Sequence, residues 1–177
     1  MKTRQDDKGL SGNKVSRRNL LLGLVNRFRG PEESGGQVTG IAPETLQADA
    51  LARGGEYAQA ASAYRDVLAQ SPEAHDIRAK LGWCLYKSGK IVQAKVELQR
   101  VLRKAESRLA SLYLGLCLAR EDRLDAALES WKSYFNPDEP EIMREINLIR
   151  ARLESGQTLE PQATADQVEA AADRSKA

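Results

Sequence analysis

The chain repeats itself. Laid against its own sequence at an offset of 34 residues and then 33, it brings Ala48, Gly82 and Gly115 into one column, Leu51, Leu85 and Leu118 into a second, and Ala60, Ala94 and Ala127 into a third. Tyr64, Leu98 and Trp131 follow four residues after those alanines. Tyr57, Ile91 and Leu124 align just after short polar stretches at Gly54-Gly55, Ser88-Gly89 and Glu121-Asp122. A period of this length constrains the fold more tightly than composition does. Each unit is one supersecondary element, too thin to bury its apolar face alone, so the units must stack.

Every column has a steric reason. Paired helices approach to about 8–10 Å only where small residues face each other, which the first and third columns provide. The large column lies one helical turn beyond the alanines and is expected to fill the gap to the next unit. The glycine-bearing stretches allow the chain to reverse between helices. Ala, Leu, Arg and Glu dominate the middle of the chain, and the few prolines lie near the edges of the periodic segments, so the elements are helices.

The run from Ala79 to Lys90 followed by Ala94, and the run from Leu112 to Ala119 followed by Ala127, resemble the tetratricopeptide repeat. The unit from Glu44 to Pro72 departs from that pattern at Gln47, where an apolar residue is usual. The third unit has Asp122 at the usual turn glycine. The resemblance implies an all-α fold: a right-handed superhelical array of about three helix–turn–helix units. Residues 141–153 carry Ile142, Ile146, Ile149 and Leu153 on one stripe and suit a capping helix that closes the array. Gly156 is the expected stop. The domain plan is a disordered basic tail at 1–14, a short amphipathic helix at 15–29, a linker at 30–43, the repeat domain at 44–154 and a disordered tail at 155–177.

In arrays of this family the first helix of each unit lines a concave groove. Carried onto this sequence, the groove has an aromatic and aliphatic floor of Trp83, Tyr86, Leu112 and Leu116 and a basic edge of Arg53, Lys87 and Arg120. A protein or peptide partner with apolar anchors and acidic groups would fit it. The carboxylate clamp of chaperone-binding repeats is missing, because Thr45, Asp49, Leu109 and Tyr113 stand where its polar and cationic residues would be.

Charge is distributed unevenly. Residues 1–30 carry eight Lys/Arg against Asp6 and Asp7, a net +6, while the remainder carries 19 basic and 23 acidic residues, a net −4. Within that arm Arg17, Arg18, Leu21, Leu22, Val25 and Phe28 can form a basic amphipathic helix that docks on a partner or an anionic membrane surface, and the alternative reading is a membrane-surface factor that uses this arm to recruit or assemble an envelope or redox complex. Ser16-Arg17-Arg18 resembles the start of a twin-arginine export signal. The apolar stretch that follows is too short, and no Ala-x-Ala site comes after it, so the expectation is a cytoplasmic protein, at most peripheral at an inner membrane face.

The chemistry of catalysis is not legible. His75 is the single histidine and has no Cys or carboxylate cluster at ligand spacing. Cys84 and Cys117 occupy the same place in successive units and read as small core residues. No glycine loop is followed by the lysine that phosphate binding requires, and no basic face interleaved with aromatics suggests nucleic acid. The sequence therefore points to a non-enzymatic adaptor, scaffold or assembly factor that uses no cofactor or metal.

Overall fold

The computed structural model describes residues 42–175, with side chains from Glu44 onward. All regular structure among the described residues is helical. The helices are α1 (Ala42–Arg53), α2 (Tyr57–Gln70), α3 (His75–Lys87), α4 (Ile91–Leu102), α5 (Arg108–Arg120), α6 (Leu124–Lys132), α7 (Pro140–Glu154) and α8 (Pro161–Arg174). The first begins at Ala42, so Pro43 falls in its opening turn rather than in the linker. A missing amide hydrogen costs nothing there.

Three turns with one hydrogen-bond pattern define the units. Glu56, Lys90 and Arg123 donate their backbone N–H to the carbonyls of Leu51, Leu85 and Leu118 at 2.8–2.9 Å. Gly55, Gly89 and Asp122, one residue earlier, donate to Ala52, Tyr86 and Ala119. This is the paired closure of a helix C-terminus, and it needs a left-handed residue at the earlier position. Gly55 and Gly89 take φ of 84° and 77° without cost, whereas Asp122 is forced to 58°. Asp122→Gly should therefore stabilise the chain by about 1 kcal/mol, read as a higher urea midpoint at unchanged slope. A lower midpoint would mean that the Asp122 side chain matters more than its backbone.

Consecutive helices pack as hairpins, α1 with α2, α3 with α4 and α5 with α6, and each hairpin stacks on the next through α2–α3, α4–α5 and α3–α5. Ala48, Ala60, Ala94 and Ala127 have no exposed surface. A Cβ built on Gly82 would fall 2.5 Å from Leu98 Cδ2, and one on Gly115 would fall 2.1 Å from the indole nitrogen of Trp131. Leu98 and Trp131 thus fill the small position of their own hairpin. The two helices come so close at the glycine that the bulky side chain has nowhere else to go.

α5 is buried along its whole length from Ala110 to Ala119, because α3, α4, α6 and α8 surround it. Its sequence is apolar on all sides, as a central helix must be.

The end of the domain corrects the expected plan. The stripe of Ile142, Ile146 and Ile149 on α7 is buried, but α7 touches α6 only lightly and pairs chiefly with α8. The expected disordered tail is in fact that eighth helix. Pro161 starts it, the Glu160 side chain accepts the Ala163 N–H, and Thr164, Ala165, Val168, Ala171 and Ala172 face inward. Gly156, at φ 81°, ends α7 as expected and turns the chain back. The alanine-rich stripe is too weak to fold alone, but it gains a surface from α7 and α5.

Candidate functional site

The three expected cations are one repeat position. Arg53, Lys87 and Arg120 are the last residues of α1, α3 and α5, the first helices of the three hairpins. A cation there also meets the negative end of its own helix dipole. Tyr86 precedes Lys87, so the aromatic hydroxyl and the ammonium reach the same face.

That face is not empty. α8 lies against α5 and sends three carboxylates to it. Glu169 accepts from the Tyr86 hydroxyl at 2.7 Å, from Lys87 Nζ at 2.8 Å and from Arg120 Nη2 at 3.0 Å. Asp173 takes a second contact from Lys87 at 2.9 Å, and Asp166 a second from Arg120 at 2.7 Å. Gln162 donates to the backbone carbonyl of Arg120, one of the carbonyls left over at the end of α5. The site is therefore an acidic helix bound across Tyr86, Lys87 and Arg120.

The electrostatics follow from this geometry. Burial alone would raise the pKa of Glu169, but the hydrogen bonds from Lys87, Tyr86 and Arg120 outweigh it and hold the carboxyl below its usual range. Burial would likewise lower that of Lys87, and Glu169 and Asp173 reverse the sign, leaving the ammonium above its usual range. Tyr86 is pushed up by burial and by Glu169, so its hydroxyl remains a donor.

The other expected site residues are placed as follows. Trp83 is half-buried and stacks edge-on with Tyr57 at 5.6 Å and tilted with Tyr113 at 6.4 Å. It borders a shallow hollow with Ala52, Arg53 and Lys80, where Asp49 accepts from Lys80 Nζ at 2.8 Å and from the Tyr64 hydroxyl at 2.5 Å. Arg53 is exposed and donates to the carbonyl of Asp49. Leu116 corrects its assignment to the floor: it has no exposed surface and belongs to the core. Leu112 is nearly as buried, although its edge reaches a cavity beside α8. Arg17, Arg18, Leu21, Leu22, Val25 and Phe28 lie outside the described residues.

Residues 51–116 match the family model of the tetratricopeptide repeat. Over those residues the chain is similar to the tetratricopeptide repeat. No curated protein matches it. The tetratricopeptide repeat is generally a protein-interaction fold without catalysis, and the array here adds a terminal helix laid on the faces of α3 and α5. Sequence reading missed Asp166, Glu169 and Asp173 because they sit on that helix. Their signal was present as carboxylates at i, i+3 and i+7 opposite small residues at 165, 168 and 172, behind a Glu-Pro start. Among the described residues no three His, Cys, Asp or Glu side chains converge as metal ligands would. Cys117 is buried, and burial first of all pushes its thiol up to about 12. No helix among the described residues is long and apolar enough to cross a membrane.

Proposed function

We propose that this chain is a tetratricopeptide repeat protein and a non-enzymatic adaptor, scaffold or assembly factor of the cytoplasm that takes a peptide or helix of a partner on the face built by α1, α3 and α5. The observation that carries this reading is the convergence of Tyr86, Lys87 and Arg120 on a single carboxylate, beside the half-buried Trp83. Aligned donors of this kind recognise acidic side chains through charge-assisted hydrogen bonds. Trp and Arg are residue types that dominate binding energy.

A photo-crosslinking residue placed at Arg53, exposed on α1, tests the face directly, with Gln99 on the outward side of α4 as control. In extracts of the native organism, Arg53→benzoylphenylalanine should capture a defined protein that Gln99→benzoylphenylalanine does not. Identical products from both positions, or products from Gln99 alone, would remove the assignment.

A further inference from the structure

We propose that α8 is a built-in stand-in for the partner, which is an acidic helix with carboxylates at i, i+3 and i+7 and a bulky aliphatic residue at i+6. This rests on the reading of the α1–α3–α5 face as the binding surface and names the chemistry of what binds there.

Three features of α8 support the assignment. First, ion pairs supplement an apolar contact made by small side chains only. Asp166, Glu169 and Asp173 engage Lys87, Tyr86 and Arg120, while the inward side chains are Thr164, Ala165, Val168, Ala171 and Ala172, none larger than valine. The rest of the core mixes small residues with large ones such as Leu85, Leu98, Tyr113, Trp131 and Ile149, which α8 lacks. Second, α8 underfills its seat. A half-open cavity of about 250 Å³ lies between Leu109, Leu112, Tyr113, Tyr134, Ile142 and Ala172, lined as well by Arg108, Asn136 and Glu139, with the small alanine as α8's contribution to its wall. A leucine or methionine in that register would extend toward Leu109, Leu112 and Ile142 in space that α8 leaves vacant. Third, α8 reaches two of three equivalent cations. Lys87 and Arg120 are paired with it, whereas Arg53, at the same position in the first unit, pairs with no carboxylate among the described residues.

The combination suits displacement. A tethered helix enjoys a high effective concentration, so a competitor in trans must make better contacts to replace it. Small anchors and an unfilled cavity leave such contacts available. A helix held by large buried side chains would not be displaced by charge alone.

The test uses the full chain and three labelled peptides spanning residues 158–175: the native sequence, the Ala172→Leu version, and a version with Asp166→Lys, Glu169→Lys and Asp173→Lys. Anisotropy is read against the wild-type chain and against the full-length Glu169→Gln/Asp173→Asn chain, in which the tether's own grip is weakened. On the weakened chain the Ala172→Leu peptide should bind about tenfold tighter than the native peptide, the worth of burying roughly two further methylene groups. The charge-reversed peptide should not bind, and raising salt from about 0.05 to about 0.5 M should weaken the other two.

Amide exchange gives an independent reading on the wild-type chain should the weakened one not fold. Excess Ala172→Leu peptide should strip protection from residues 161–174 and leave α3 and α5 protected. Equal affinities for the native and Ala172→Leu peptides, or unchanged protection of residues 161–174, would overturn the proposal and make α8 a structural closure. That result is separable from failure of the binding face itself, which the crosslinks at Arg53 report without reference to α8.

Discussion

Trp131→Ala should destabilise the chain by about 4 kcal/mol, within the range for a buried aromatic truncation. Trp131 is 1% exposed, and its indole N–H donates to the carbonyl of Leu112 at 3.0 Å. Its ring lies on the backbone of α5 at Gly115, and a helix backbone cannot collapse into the space a missing ring would leave. The converse substitution tests the same contact from the other side. Gly115→Ala puts a methyl 2.1–2.6 Å from a rigid ring and should cost about 3 kcal/mol. Gly82→Ala meets Leu98 Cδ2 at 2.5 Å and Cγ at 2.6 Å, a side chain more yielding than a ring, and regains about 1 kcal/mol of helix propensity. It should cost about 1 kcal/mol, less than Gly115→Ala. Urea unfolding of the three variants decides the matter. If Gly115→Ala were no worse than Gly82→Ala, the glycine would not be there to admit the tryptophan.

The repeat was legible because each column has a contact of its own. Gly82 with Leu98 and Gly115 with Trp131 enforce a residue size at a fixed position, and size is visible in a sequence. The left-handed turn is visible for the same reason at Gly55 and Gly89, and as its exception at Asp122. The groove was less legible. α5 is apolar on every side, so periodicity gave no means of telling its groove face from its core face, and Leu116 went to the wrong one. The terminal helix was hidden for a different reason. Its apolar residues are alanines and one valine, whose burial is worth too little to order a helix without a partner surface. Only the neighbours supplied by α5 and α7 make it fold, and neighbours are a property of the tertiary structure.

Glu169→Lys should release α8 and leave the hairpins intact. The native carboxylate, 22% exposed, is the common acceptor of Tyr86, Lys87 and Arg120. A lysine there would face two cations and strand their hydrogen bonds, a loss of about 3 kcal/mol, or roughly a hundredfold in local amide protection over α8. Asp166→Lys removes a single contact at a site 67% exposed and should lower protection far less, as solvent screens such pairs. Acid should reproduce the release by the same route. The pKa of Glu169 is lowered by folding, so its contribution is complete above the ordinary carboxyl value and is lost as pH falls through the depressed one. The pKa of Lys87 is raised, so its contribution is complete below the ordinary ammonium value and is lost as pH rises through the elevated one. Protection of residues 161–174 should therefore be level from about pH 5 to about pH 10, after allowance for intrinsic exchange, and fall at both ends. Glu169→Gln keeps the shape without the charge, so it should lower the plateau and flatten the acid limb together. A variant that lowered the plateau while keeping a full acid limb would assign that limb to other carboxylates and take Glu169 out of the centre of the contact.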